Sequence, residues 1–134
     1  DWSVTGVQTC ALPIWAAAVT ACLSETLRLD TKSNAGPRGA QLFEGCQRLL
    51  AQYDVVGDVR GGHGLMTGVE IVSDRDGKVP ASPDMLTRIH KATYEAGAMV
   101  RVGGNNIMMS PPLVVTEAEI DRVLGALEAG LRAA

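Results

Sequence analysis

The sequence predicts an α/β fold in which helices pack on a small, mostly antiparallel sheet. Three observations indicate this class. Helical and strand patterns follow one another in the order α-α-β-β-α-β-β-α, which is typical of a layer of helices on a sheet. The length of 134 residues suits one domain and excludes a second complete one. Hydrophobic residues make up 46 % of the chain, enough for a packed core.

Two helices are predicted in the first part of the chain. Residues 15–29 are rich in strong helix formers and contain no Pro or Gly, so they predict a helix whose beginning we expect to be truncated. Residues 34–39 contain turn signals but could also form the first turns of the next helix. That second helix extends to Tyr53, and its apolar face contains Ala40, Phe43, Leu49 and Leu50.

Two short strands and a helix come next. Residues 55–60 and 65–72 contain the β-branched and apolar residues of strands, and glycines join them. A polar turn then leads to a helix with Ser82 as its N-cap, Pro83 at its first position and Gly97 as the left-handed residue after its end. The apolar residues of this helix recur at helical spacing: Met85, Leu86, Ile89, Ala92 and Ala96.

The last part of the chain predicts a second pair of strands and a final helix. The strands are residues 98–102 and 105–109, with two glycines between them. In the helix, Thr116 and Glu119 have the spacing of a capping box. One apolar stripe along this helix contains Ile120, Val123, Leu124, Leu127 and Leu131.

The composition excludes several classes of partner. The net charge is −3 and the 12 Lys and Arg residues are spread along the chain, so no basic patch for nucleic acid or an anionic membrane is expected. Aromatic residues are only 4 %, which disfavours a surface that stacks bases. No apolar stretch reaches the roughly 20 residues of a transmembrane helix. Small, mildly acidic molecules are the partners that remain.

The first 14 residues differ from the rest of the chain. A signal peptide is disfavoured because no basic region precedes the apolar run. Residues 4–14, VTGVQTCALPI, resemble the translation of a sequencing-library adapter, and Asp1-Trp2-Ser3 resembles the same adapter in another frame. The start at Asp1 also indicates a chain that was processed or copied from within a longer reading frame. We therefore expect residues 1–14 to be an artefact that forms no domain and has no function.

Without the first segment, Cys22 and Cys46 are the remaining cysteines. Their spacing fits neither a zinc site nor a redox CxxC motif, and both lie in apolar, helix-like surroundings. We expect both to be buried thiols in a reducing compartment, which is the cytoplasm.

Arg101 is the residue with the clearest chemical potential. It follows the apolar residues Met99 and Val100 on a predicted strand, and two glycines come shortly after it. A guanidinium at that position could bind a carboxylate through two hydrogen bonds, beside a backbone that a ligand can approach closely. The alternative from local sequence alone is an arginine on an edge strand that reaches into solvent.

The glycine turn at residues 61–64 and the two histidines are interpreted as structural. The turn lacks the glycine spacing and the Lys-Ser/Thr pair of a phosphate-binding loop. His63 has no Ser, Cys or acid nearby in a triad-like arrangement, and His90 lies within a predicted helix. Each histidine is therefore expected to be a surface or packing residue.

Other polar and methionine side chains have a structural interpretation as well. Arg60 lies two residues after Asp58 on the same strand face, so the two predict an ion pair. Glu70 could be a buried acid, but a lone carboxylate makes no acid–base pair. The methionines are expected to fill gaps in the core: Met66, Met85, Met99, Met108 and Met109.

Three segments follow one another in a characteristic order. They are VGDVRG at 56–61 running into GLMTGVE at 64–70, YEAG at 94–97 leading to Arg101, and IMMSPPL at 107–113 followed by TEAEID at 116–121. Their order and spacing resemble the C-terminal part of class III, fold-type I, pyridoxal-phosphate-dependent aminotransferases, the group that includes the ω-amino-acid:pyruvate transaminases. The turn at Gly62 and His63 is one residue longer than the usual form of the family.

The resemblance implies that residues 15–134 are the small C-terminal domain of a two-domain enzyme, truncated at its N-terminal end. The Schiff-base lysine and the aspartate that pairs with the pyridine nitrogen would then lie upstream. Lys32, Lys78 and Lys91 do not match the lysine motif and are placed in a loop, a polar turn and a helix. Arg101 matches the arginine that, in ω-transaminase relatives, binds the substrate carboxylate and swings aside for amines or apolar groups.

The implied activity is the ping-pong transfer of an amino group from an amine or ω-amino acid to a keto acid such as pyruvate, with pyridoxal 5'-phosphate as the electron sink. The full-length enzyme is expected to be a homodimer, and this chain alone is expected to be inactive because it lacks the lysine. A class III relative such as an aminomutase or a decarboxylase is the alternative within the family. A non-enzymatic α/β ligand-binding module is the alternative from a different class.

Overall fold

The computed structural model describes residues 4–134 of the chain, with side chains from residue 13 onward. The chain divides into two compact units, with the boundary after Thr31. The first unit contains one helix, α1 (Val4–Arg28), which begins well before the predicted start at residue 15. Neither α1 nor any other helix of the described residues is long and apolar enough to cross a membrane.

The second unit, Lys32–Ala134, contains helices on one face of an antiparallel sheet. Its helices are α2 (Thr31–Gln52, apart from its first residue), α3 (Pro83–Glu95) and α4 (Glu117–Leu131). Its strands are β1 (Val56–Arg60), β2 (Thr67–Asp74), β3 (Val79–Pro80), β4 (Arg101–Gly103) and β5 (Asn106–Met109). The strand order is β1-β2-β5-β4, and β3 pairs with β2 outside this path. All these pairs are antiparallel, so the predicted fold class is confirmed.

The strands begin later than predicted at β2, which starts at Thr67 and not at residue 65, and at β4, which starts at Arg101 and not at residue 98. Two further differences concern β3 and a turn. The sequence pattern does not predict β3, because two residues are too few to show a period of two. The hairpin of β4 and β5 pairs Gly103 with Asn106, so its turn consists of Gly104 and Asn105. The predicted turn at 103–104 is therefore one residue off. Gly104 has a φ of +60°, as the first residue of a tight two-residue hairpin turn requires.

Helix α2 includes residues 34–39, so the helical interpretation of that segment is correct. The side-chain amide of Asn34 donates to the carbonyls of Leu113 and Val115, each at 2.9 Å. These two bonds hold the first turns of α2 against the loop that precedes α4. Lys32 also lies in this helix, and its predicted placement in a loop is wrong because the helix begins earlier than the turn signals suggest.

The C-terminal end of α2 is capped by Arg75, which is distant in sequence. Its guanidinium donates to the carbonyls of Leu50 at 2.7 Å, Tyr53 at 2.5 Å and Val56 at 3.0 Å. The last carbonyls of a helix have no partner within the helix, and a cationic side chain is favourable there. Arg75 lies in the turn between β2 and β3, so this contact joins the end of α2 to the sheet.

The predicted caps of α3 and α4 are confirmed. Ser82 Oγ accepts a hydrogen bond from the Met85 amide at 3.2 Å, and Gly97 has a φ of +101°. At α4, the Thr116 hydroxyl accepts a hydrogen bond from the Glu119 amide at 3.3 Å. The Glu119 carboxylate in turn accepts one from the Thr116 amide at 2.8 Å, which completes the capping box.

The core lies between one face of the sheet and the helices of the second unit. Helices α3 and α4 approach closely at Gly130, where a Cβ would overlap the Thr93 hydroxyl and lie 2.8 Å from the Ile89 carbonyl. Helices α2 and α4 approach at Gly45, where a Cβ would overlap the end of Leu124. The fully buried apolar side chains here include Leu42, Ile71, Ile89, Ile107, Ile120 and Leu127.

The two cysteines among residues 13–134 have different surroundings. Cys46 is a buried free thiol in the core, as predicted, and burial raises its pKa to about 12. Cys22 is a free thiol on α1 and is exposed, so its predicted burial is wrong. A helix buries side chains only on the face that packs against another element, and helix-like composition does not say which face that is.

We expect Gly130→Ala to lower the free energy of unfolding by about 2 kcal/mol, because the added methyl group must displace backbone and Thr93 at the contact of α3 and α4. Gly125→Ala is the matched control in the same helix. A Cβ there meets nothing within 4 Å. The control should gain about 0.5–1 kcal/mol from helix propensity. Denaturant titration measures both changes, and effects of the same sign would contradict the close packing at Gly130.

The hydrogen bonds from the amide and the hydroxyl of Thr116 hold the pKa of Glu119 below its ordinary value. A lowered pKa stabilises the folded state above the pKa of the unfolded chain, and this stabilisation is lost as the pH falls through the folded value. Glu119→Gln keeps the capping geometry without the charge. We expect wild type to unfold at a higher temperature than the variant at neutral pH. Thermal scans from pH 7 to pH 3 should show this difference shrinking; a constant difference would exclude the charged cap.

Candidate functional site

The two faces of the sheet have opposite character. On β2 the burial of side chains alternates from Thr67 to Glu70, with Thr67 and Val69 buried. Val69 pairs with Val59 and Ile107, which lie in the same buried row against the helices. The side chains of the other face are exposed or half-buried, and we call it the open face. It includes Asp58, Arg60, Gly68, Glu70, Arg101, Gly103, Asn106 and Met108.

Arg101 is the first residue of β4, at the edge of the sheet, and its side chain lies on the open face. Met108 of β5 is its direct cross-strand partner. Arg101 is exposed and forms no ion pair with any carboxylate among residues 13–134. The geometry within this chain therefore fits the predicted edge-strand placement and leaves the guanidinium free for a ligand.

The second arginine of the open face is already neutralised. Arg60 donates to Asp58 at 2.7 Å and lies 3.4 Å from Glu70, so the predicted Asp58–Arg60 ion pair is confirmed. The hydrogen bond to Asp58 raises the pKa of Arg60. Asn105 donates to the other Glu70 oxygen at 3.1 Å. A carboxylate that approaches the open face therefore finds an unpaired cation at Arg101 and a paired one at Arg60.

The methionines divide between the core and the open face. Met85 and Met109 are buried, as predicted. The prediction is wrong for Met66, Met99 and Met108, whose exposed fractions are 72 %, 86 % and 36 %. The alternation of strand side chains explains the difference, since Met108 lies on the opposite face of β5 from Met109. The exposed thioether of Met108 therefore lies on the same face of the sheet as Arg101.

His90 contacts the residue that precedes β4. It is half-buried in α3, and its Nε2 lies 3.2 Å from the carbonyl of Val100, the residue before Arg101. His63 is exposed in the glycine turn. Both placements agree with the predicted surface and packing roles. No signal in the local sequence indicates the contact between His90 and Val100, because it joins a helix to a strand ten residues later.

The glycine turn is structural, as predicted. Gly61, Gly62 and Gly64 all have positive φ, which side chains other than glycine rarely adopt. A Cβ on Gly39 of α2 would overlap the carbonyl of Gly64, so the helix backbone packs directly on the turn. The ring of Phe43 lies against Gly62. Because these glycines have no side chains, α2 can pack close to the turn and the sheet.

Arg101 lines neither of two surface clefts in the described part of the chain. The larger, of about 550 Å³, lies beside the start of α4 and includes Pro111, Thr116 and Arg122. The smaller, of about 300 Å³, lies between α3 and β4 and includes His90 and Val102. Within the part of the chain that the structure describes, no three His, Cys, Asp or Glu side chains lie close enough together to hold a metal ion.

The described residues do not fit pyridoxal 5'-phosphate. A Schiff-base lysine must project into a pocket, and Lys32, Lys78 and Lys91 are all exposed and line neither cleft. Lys91 pairs with Glu95 at 3.8 Å on the surface of α3. The polar functional group at the β4 edge of the sheet is instead the Arg101 guanidinium, next to the Met108 thioether and Gly103.

The sequence is similar to aminotransferases over most of its length. The family described as "Aminotransferase class-III" matches residues 9–131. The taurine–pyruvate aminotransferase of Bilophila wadsworthia is 32 % identical over 108 residues, which cover 75 % of this chain and 24 % of that protein. The leucine/methionine racemase of Thermococcus litoralis is 32 % identical over 117 residues, which cover 87 % of this chain and 26 % of that protein. The interpretation of residues 1–14 as an artefact stays a prediction.

The fold is also found in solved transaminases. The structure of a PLP-bound amine transaminase from an uncultivated Pseudomonas species superposes with a TM-score of 0.82 at 40 % identity, covering 88 % of this chain and 27 % of that one. The chain thus spans about a quarter of the length of the relatives it matches. The family match, the order of the motifs and the shared fold together show that this chain belongs to the class III aminotransferases.

Proposed function

We propose that this chain forms the carboxylate-binding part of a pyridoxal-phosphate-dependent transaminase, with Arg101 as the residue that binds the substrate carboxylate. The observation that supports this role is the contrast between the two arginines of the open face. Arg60 is paired with Asp58 and Glu70, whereas Arg101 has no acidic partner among residues 13–134. An unpaired guanidinium on a strand is a favourable site for a carboxylate.

The chemistry of transamination gives Arg101 a specific task. A keto acid such as pyruvate and an ω-amino acid both contain a carboxylate, and a simple amine does not. The planar guanidinium can donate two parallel hydrogen bonds to the carboxylate and so orient the reacting carbon of the substrate. The names of the similar proteins, a taurine–pyruvate aminotransferase and an amine transaminase, support an amine or ω-amino acid as donor and pyruvate as acceptor.

The cofactor of the whole protein would be pyridoxal 5'-phosphate, which when bound serves as an electron sink. Its site would lie in the part of the protein that this chain does not span, together with the Schiff-base lysine. A homodimer in the cytoplasm is the assembly that we propose for the full-length protein. The free thiol of Cys46 is consistent with a reducing compartment.

A second candidate function is a reaction of the same family without net amino transfer. The similarity to a leucine/methionine racemase over 87 % of this chain favours it, since the same C-terminal unit then occurs in a protein named for another outcome. An aminomutase or a decarboxylase would belong to the same group. Dependence on a keto acid distinguishes the two candidates, because only a transaminase consumes one.

In the full-length protein, Arg101→Lys should raise the KM for pyruvate by about 10- to 100-fold, because lysine cannot form the paired hydrogen bonds to a carboxylate. The KM for an amine without a carboxylate should stay within about two-fold. Arg60→Lys is the matched control on the same face, and its ion pair predicts little effect on either KM. Steady-state kinetics with both substrates measure these changes. Equal increases for pyruvate and the amine in Arg101→Lys would exclude the assigned role.

The chain alone should not bind pyridoxal 5'-phosphate covalently at a specific site. Its three lysines are exposed and lie outside the clefts. We expect incubation with one equivalent of the cofactor, borohydride reduction and mass spectrometry to show no more adduct than the urea-unfolded chain. A single lysine modified selectively in the folded chain would contradict the placement of the cofactor site upstream.

A further inference from the structure

Gly103 and Met108 form a contact immediately beside Arg101. Met108 lies directly opposite Arg101 in the register of β4 and β5, on the same face of the sheet. Its side chain extends over Gly103, so that a Cβ built on Gly103 would lie 2.7 Å from the terminal Cε of Met108. No other atom lies within 4 Å of that Cβ position. The methyl group of Met108 therefore occupies the space that a side chain at residue 103 would need.

The backbone does not explain the glycine at this position. Gly103 lies within β4 and does not have the positive φ of Gly104, so an alanine could adopt its conformation. Because Gly103 has no side chain, the Met108 thioether has room to lie over it. A methionine in such a place is unbranched and flexible, and it fills irregular space at low cost. Met108 is 36 % exposed, which is half the exposed fraction of Met66 and less than half that of Met99. This lower exposure agrees with a Met108 side chain that packs over Gly103.

We propose that Met108, seated over Gly103, positions the side chain of Arg101 and thereby sets the preference of the site for a carboxylate. This inference rests on the proposed function. Two neighbours of Arg101 lie on the open face: Met108 across from it on β5, and Gly103 two residues further along β4. In this proposal, Met108 over Gly103 keeps the arginine side chain from folding along the strand toward Gly103. Its guanidinium then stays accessible to a ligand.

Displacing Met108 would have the opposite effect. The methyl group of an alanine at residue 103 would occupy the space of the Met108 methyl group. The Met108 thioether must then move to the open space around Arg101. The side chain of Arg101 then shares that space with a mobile apolar group, which opposes the binding of a carboxylate through both hydrogen bonds. An amine without a carboxylate does not use the guanidinium and is insensitive to the change. Met108 and Gly103 are thus positioning residues that act through Arg101.

A double-mutant cycle in the full-length protein tests this inference. We expect Gly103→Ala to raise the KM for pyruvate about five-fold and to leave the KM for a simple amine and the melting temperature unchanged. In a protein that already contains Met108→Ala, the substitution Gly103→Ala should not change the KM for pyruvate further. The reason is that a Cβ at residue 103 contacts no side chain except Met108. Gly68→Ala is the matched control. Gly68 pairs with Met108 from the other side, and a Cβ there meets nothing within 4 Å.

Two results would overturn the inference. Additive effects of the two alanines on the KM for pyruvate would show that Gly103 does not act through Met108. Equal effects of Gly103→Ala on pyruvate and the amine would show that the pair does not act through Arg101. Arg101→Lys is measured in parallel: if it is selective for pyruvate while the cycle is additive, only the present inference fails. If Arg101→Lys is not selective, the carboxylate role fails, and this inference fails with it.

Discussion

Side chains on β2 alternate between the two faces of the sheet, and the positions of the core and of the site both follow from that alternation. β2 is the strand that pairs with β1, β3 and β5, so its register fixes theirs. Val69 lies on the face that packs against the helices, and Gly68 and Glu70 lie on the open face. A slip of one residue would exchange the two sets, placing charged groups in the core and aliphatic ones on the open face.

Local signals in the sequence are sufficient for most of the fold. Caps such as Ser82 and Thr116 act within one helical turn, and the structure has them where the sequence predicts them. Contacts between distant residues are not visible in this way. Asn34, in the first turns of α2, bonds to Leu113 and Val115 in the loop before α4, and no short window along the chain contains both partners. The one-residue difference at the turn between β4 and β5 is local, because the strand pattern does not show which residues between Gly103 and Asn106 form the turn.

The site shows the same division between near and distant information. Family motifs single out Arg101, and its neighbours along the chain indicate a strand. The pairing of Arg60 with Asp58 is also predictable from their spacing. Two features require the assembled sheet: the isolation of Arg101 from the acids of β1 and β2, and the exposure of Met108 beside it. Spacing shows that residues share a strand face, but only the strand order shows which faces of different strands adjoin.

Arg75 has a consequence for the dynamics of the second unit. Its guanidinium donates to carbonyls at the end of α2 and the start of β1, while its backbone belongs to the turn after β2. If the end of α2 or the turn after β2 opened locally, the Arg75 guanidinium and the three carbonyls would lose their hydrogen bonds to one another. The end of α2 and the β2–β3 turn therefore form one cooperative unit, in which amide protons far apart in sequence become accessible to exchange in the same event.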